Sequence, residues 1–381
     1  MPVPPPAAAD VKDHPPTAAE VELLGRGVVA AVAPASGLTE MQGLLIDAVF
    51  HAMTGHHVVF GLPPLSAEET ALALAGRTIE FRTRIVQVMV LCALVLRPLP
   101  ADVADRVADY ARELSVEEGM LAITREFAAG TLGLAAMDFE RNGYTSTWAD
   151  ADAEALHTSA ALTQAWEAVE HDPGLAARWR ALEGLPAGTL GRRITDFYRA
   201  RGFTYPGERG SAPPLLAQHD WVHVVADYGT TVEAELEVFA FIARANDDPH
   251  AFSLLAMVVS LFETGYLRQG AGLFQYDIGH LEREGMATRL ADAMRRGAQC
   301  PGSNDFLRTD WFTLADLPVD EVRRRIGLPP KGQEALAAGS VGPWEPGGIS
   351  PFQALAGADL ATRDGRPYDT FGAVPLGSSA P

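Results

Sequence analysis

The residues of this 381-residue sequence best suited to chemistry are His219-Asp220-Trp221-Val222-His223 and, further on, the acidic cluster Glu233, Glu235 and Glu237. Two histidines four apart on a helix project from one face about a turn apart, the spacing that grips one metal ion with two nitrogens. Pro213-Pro214 upstream favours a helix start, and Trp221 and Val222 can cover its buried side. A carboxylate has to complete the set. On one straight helix Glu235 would lie about 18 Å beyond His223, outside any shared coordination sphere. Gly229, however, sits where a left-handed residue would end the first helix, and Thr230-Thr231-Val232-Glu233 reads as a capping box opening a second. That corner folds the second helix back toward the histidines. Glu233 is then used at the cap, so Glu235, on another face, is the preferred ligand over Glu233 and Glu237.

His219, Asp220, His223 and Glu235 together form an N₂O₂ set for a divalent metal, zinc first, with iron or manganese also suited. Asp220 points about 100° around the helix from His219, so three roles stay open to it: ligand, acceptor for a histidine N–H, or catalytic general base. Cys92 and Cys300 are the only cysteines, which excludes a thiolate zinc site or a disulfide framework. An HExxH-type peptidase is disfavoured because Asp220 is a methylene shorter than the glutamate that activates water there. A phosphohydrolase of the HD type needs a further His and Asp, and His171-Asp172-Pro173 reads better as a turn. Asp47 and His51 share a helical spacing, but His56 and His57 fall in a Thr-Gly-His-His turn off that face, so a second metal site there is disfavoured.

His-Asp-x-x-His, eleven residues, then Glu resembles the signature of the coenzyme Q (ubiquinone) biosynthesis protein 4 family, with His219, Asp220, His223 and Glu235 at its four positions. Leu185-Pro-Ala-Gly-Thr-Leu-Gly191 resembles that family's upstream Gly-Thr-Leu-Gly segment. Asp310-Trp311 with Leu317-Pro-Val-Asp-Glu-Val-Arg323 resembles its C-terminal region. The resemblance covers about residues 153–330. It implies an all-helical fold and a divalent metal, usually zinc. It also implies a part in ubiquinone biosynthesis, through oxidative decarboxylation or hydroxylation at C1 of a prenylated ring precursor, through organising the biosynthetic enzymes, or both. One departure is local: family members carry glycine four residues after the second histidine, where this chain has Asp227. Two other readings stand beside this one, a non-catalytic lipid-binding scaffold stapled by a structural metal and a metal-dependent hydrolase unrelated to quinones.

The elements that must hold these residues are helical almost throughout, and period-2 alternation is nowhere sustained, so the expected fold class is all-α, built of helical bundles. Residues 1–35 read as a flexible Pro/Ala-rich leader and 331–381 as an irregular Pro/Gly-rich tail. Between them, 36–145 reads as an N-terminal helical domain and 146–330 as the metal-binding one. Thr39-Glu-Met-Gln42 and Ser66-Ala-Glu-Glu69 are capping boxes, and Ile85–Leu96 is apolar nearly all round, as at the centre of a bundle. The stretch Arg82–Leu114 resembles part of the TerB-like tellurite-resistance domains but has Arg97-Pro98-Leu99 in place of their Asp-Gly turn. Further helices are expected over 115–129 and 252–267.

The formal net charge of −19 disfavours nucleic acid and a basic membrane anchor, so any lipid contact, at most peripheral, should be apolar. The expected partners are a prenylated quinone precursor or other lipid and other biosynthetic enzymes; a homo-oligomer is compatible with them. No signal peptide or membrane-spanning run is evident, which points to the cytoplasm.

Overall fold

A computed structural model describes residues 14–96, 99–116, 172–211, 214–245, 280–301 and 305–373, with Leu255, Val258 and Val259 as isolated positions. The domain boundary expected at 145–146, most of the helix expected over 115–129 and most of that over 252–267 lie outside the described residues. Among the described residues the fold is all-α, with no strand and one isolated bridge between Thr189 and Pro318. None of the helices among the described residues is long and apolar enough to cross a membrane.

The N-terminal helices are α1 (Ala18–Val32), α2 (Glu40–Thr54), α3 (Ala67–Ala73), α4 (Ile79–Leu94) and α5 (Ala101–Glu113). Reciprocal capping boxes open α2 from Thr39 and Gln42 and α3 from Ser66 and Glu69, as the sequence predicts. Every residue from Ile85 to Leu94 of α4 is buried, with α1, α2 and α5 packed around it.

The C-terminal helices are α6 (Pro173–Ala181), α7 (Leu190–Arg201), α8 (Pro214–Ala226), α9 (Val232–Ala245), α10 (Met286–Gln299), α11 (Val319–Arg325), α12 (Gln333–Ala337) and α13 (Pro351–Arg363). The apolar core runs continuously through both sets, because α10 packs on α2 and on α9. The approach of α9 to α10 depends on Gly297, where a Cβ would meet the Phe241 carbonyl oxygen at 2.4 Å.

Two segments expected to be irregular are helical in part. Within 1–35, Thr17 and Glu20 form a capping box that opens α1, whose apolar residues Val21, Leu24 and Val28 reach the core. Within 331–381, Ser350 and Gln353 box the start of α13, which packs on α7. Scattered prolines and glycines mark the turns of the tail without preventing its helices. The buried Arg201 fastens that tail, donating to the carbonyls of Pro343 (3.0 Å) and Gly348 (2.8 Å).

Gly229 lies under this strap. Its amide donates to Val341 O, and a Cβ there would come within 2.8 Å of Gly348 Cα and 2.9 Å of its carbonyl oxygen. Gly229→Ala is therefore expected to cost about 1–3 kcal/mol through forced backbone displacement. Gly184→Ala, with nothing within 4 Å of the new Cβ, serves as control. Urea unfolding of the two variants checks this, and an unchanged midpoint for Gly229→Ala would contradict the close approach.

Candidate metal centre

Helix α8 carries His219, Asp220 and His223, and how it ends decides where they point. The left-handed residue that stops it is Asp227, at φ +66°, rather than the Gly229 expected from sequence. The Tyr228 amide donates back to the His223 carbonyl at 3.0 Å, the long bond of a Schellman turn. Position 227 is where the resembling family carries glycine. Aspartate is among the few other residues that tolerate this conformation, and Arg323 and Lys331 lie 3.5 and 4.0 Å from its carboxylate. The helix end itself takes two arginines: the same Arg323 donates to Val225 O at 2.8 Å and Arg296 to Ala226 O at 2.8 Å. Cations at a helix C-terminus answer both its open carbonyls and its dipole.

Helix α9 then starts one residue later than expected. Thr231 is the capping residue, its Oγ1 accepting from the Ala234 amide at 3.4 Å. Thr230 instead takes a bond from Arg201 Nε at 2.9 Å. Glu233, freed from the cap, meets His280 at 3.0 Å and pairs with Arg283. The reversal nonetheless brings α9 back over α8 with Glu235 facing the histidines.

Glu235 Oε2 lies 3.3 Å from Nε2 of His219 and 3.3 Å from Nε2 of His223. All three side chains are buried, their ligand atoms lying within 4.8 Å of one another, and they are the one such metal-competent group among the described residues. At that separation neither His223 Nε2 nor Glu235 Oε2 makes a hydrogen bond of good geometry. A cation fits this arrangement: two neutral imidazoles offer lone pairs, and the carboxylates of Glu235 and Asp220 cancel a divalent charge in a dry interior.

The two rings are held from behind. His223 Nδ1 is 3.3 Å from the Tyr228 carbonyl, which fixes that nitrogen as donor and leaves Nε2 as acceptor. Phe197 stacks on His223 at 5.8 Å and Phe239 on His219 at 5.3 Å. Asp220 is not in the convergent trio. Its Oδ1 lies 3.7 Å from Nδ1 of His219, and its Oδ2 accepts from the Tyr198 hydroxyl at 2.5 Å. Tyr198 and Tyr228 escaped the sequence reading. Tyr228 is five residues past His223, where a Schellman turn would place it, whereas nothing in the spacing links Tyr198 to a residue on another helix.

The segments resembling the family's flanking motifs meet in space. Leu190 and Gly191 donate their amides to Leu317 O and Ala315 O at 2.8 and 2.7 Å. The second histidine group does not converge on an ion: His51 and His57 stack face to face at 4.2 Å, and Asp47 binds His57 Nδ1 at 2.8 Å. Arg289 pairs with Glu237 at 2.6 Å, and Arg192 with Asp196 at 2.9 Å.

No protein-family model matches the chain, and no curated protein matches it. Among solved structures, the chain is similar to one named a putative ubiquinone biosynthesis protein, from Nostoc punctiforme PCC 73102. The two are 21% identical over 65% of this chain and 96% of that one, with a TM-score of 0.29.

The Glu233 cluster sets a pH dependence. Burial pushes its carboxyl up, yet the hydrogen bond from His280, that from its own main-chain amide and the charges of His280 and Arg283 bring it down to about 2, from an ordinary 4.5. The folded state thus binds this proton less tightly than the unfolded one. The stabilisation is complete above the ordinary value and is lost as pH falls toward 2. Between about pH 5 and about pH 2 the wild type should lose roughly 1–3 kcal/mol more unfolding free energy than Glu233→Gln. Equal losses in denaturant titrations at the two pH values would contradict this.

Proposed function

We propose that His219, His223 and Glu235 hold a divalent cation, zinc in the first instance, with Asp220 acting beside them, and that this centre serves the processing of a prenylated quinone-ring precursor. The observation that carries the metal reading is the convergence of the three buried donors from two helices on one corner. The quinone reading is supported by the His-Asp-x-x-His and Glu signature and by its flanking segments.

A bound divalent ion supplies a Lewis acid for a ring carboxylate or its neighbouring oxygens. The chain's own contribution is separable. The aromatic rings of Phe197 and Phe239 exclude water from the histidines and lower the local dielectric. The Tyr228 carbonyl keeps the proton of His223 on Nδ1. Asp220 is the carboxylate beside the trio, its Oδ1 lying 3.7 Å from His219 Nδ1 and its Oδ2 accepting from the Tyr198 hydroxyl.

One observation favours a second reading. His219, Asp220 and Glu235 are 1% exposed and His223 is 0% exposed, the closed character of a structural metal site. In that reading the ion staples α8 to α9 and the chain is a lipid-binding scaffold rather than a catalyst.

Purified full-length protein should hold about one divalent ion per chain, and His223→Ala should hold almost none. Elemental analysis finding equal, negligible content in both proteins would remove the metal site. Organic extraction of the same preparation with mass spectrometry separates the functional readings: a co-purifying prenylated aromatic acid supports the quinone reading. Unrelated lipids, with a metal-free variant that melts far below the wild type, would support the scaffold.

A further inference from the structure

Between α12 and α13 the chain runs as a strap, residues 341–350, along the α8–α9 turn. The Gly229 amide donates to Val341 O at 3.0 Å and the Thr230 amide to Gly348 O at 3.1 Å. Gly342 packs against Asp227, where a Cβ would meet Oδ1 at 2.5 Å. Asp227, Gly229 and Thr230 thus all touch the strap, and Tyr228 among them carries the carbonyl that meets His223 Nδ1 at 3.3 Å. A second route runs through side chains: Trp344 meets Phe197 edge-on at 6.3 Å, and Phe197 stacks on His223 at 5.8 Å. Past the turn, the Glu235 amide donates to Thr231 O at 2.9 Å, so the same few residues set where the carboxylate stands.

The strap has internal structure of its own. The Glu345 amide donates to Gly342 O at 3.3 Å, the Gly348 amide to Glu345 O at 2.8 Å, and the Gly342 amide to the Glu345 carboxylate at 2.8 Å. Pro343 and Pro346 have no amide to answer. Arg201 of α7 fastens it by donating to Pro343 O at 3.0 Å and Gly348 O at 2.8 Å, and Trp344 is its one aromatic residue. A loop with its own internal bonds, tied to the helices at a few points, opens as a local unit at lower free energy than the whole chain.

We propose that this strap is a clasp on the metal corner, its docking and the binding of a divalent ion being coupled. This rests on the metal reading above. The ion fixes the turn through His223 and Glu235, and the strap fixes it through Asp227, Gly229 and Thr230. Whichever docks first orders the turn for the other, so each strengthens the other's hold. Such coupling is reciprocal and typically amounts to about 5- to 150-fold. An ion in the corner keeps the strap closed, and an open strap weakens the grip on the ion.

The test is amide hydrogen exchange of the full-length chain, metal-free and with Zn²⁺, read by mass spectrometry over 341–350 with α4 as internal reference. In the metal-free wild type the strap should exchange faster than α4. Zn²⁺ should slow the strap by about 5- to 150-fold and slow α4 by less. In His223→Ala, or in Glu235→Gln where the first variant fails to fold, Zn²⁺ should leave the strap unchanged. A wild type that binds Zn²⁺ while its strap exchanges as before overturns this proposal and leaves the metal reading standing. Equal slowing of strap and α4 also overturns it, because the ion would then stabilise the whole chain and the strap would not open by itself. So does slowing of the strap in a variant that has lost the corner, since the ion would act from elsewhere. A wild-type chain that binds no Zn²⁺ overturns the metal reading and this one together.

Discussion

The main-chain clasp of Tyr228 on His223 is the contact on which the corner depends. One peptide unit's amide closes the end of α8 on the His223 carbonyl, and the Tyr228 carbonyl takes up the same residue's Nδ1. The turn that reverses the chain is therefore also the device that aims the imidazole. Both tasks require a left-handed residue at 227, where an aspartate bears the conformational cost of roughly 1–2 kcal/mol that glycine would avoid. Arg323 offsets some of it by reaching both the Asp227 carboxylate and the carbonyl end of α8.

Around that clasp the protein builds a dry polar site, which is costly unless every group is answered. The closure is layered. Phe197 covers His223, Trp344 meets Phe197 edge-on at 6.3 Å, and Trp344 belongs to the strap that Arg201 fastens at Pro343 and Gly348. Arg201 also reaches Thr230 in the turn itself, so the C-terminal tail, the end of α7 and the start of α9 share one buried guanidinium. The tail thus contributes to the walls of the candidate centre, although it lies more than a hundred residues beyond it in sequence.

Local signals were the legible ones. The capping boxes at Thr39 and Ser66 and the all-round apolar run of α4 depend on neighbours in the chain, and they form as the sequence predicts. The broken helix after His223 and the return of Glu235 were legible for the same reason. The details of the break were not. Gly229 looked like the left-handed residue because glycine favours that conformation. Its smallness is instead used against the Gly348 backbone, and the helix ends at an aspartate whose compensating arginine comes from α11. Thr230 looked like a cap because two threonines stand together, and only the distant Arg201 decides between them. Tyr198 was invisible on the same ground, since its bond to Asp220 exists only when α7 packs across α8.

The claim at the centre of this account is that two imidazoles and a carboxylate from a single helical corner share one divalent ion. X-ray absorption spectroscopy at the metal edge of the purified, zinc-loaded chain tests it most directly. The account predicts a first shell of mixed nitrogen and oxygen, with the outer-shell scattering of two imidazole rings, and loss of one ring's contribution in His219→Ala. A shell of oxygen alone, or imidazole scattering that is identical in the variant, would contradict it.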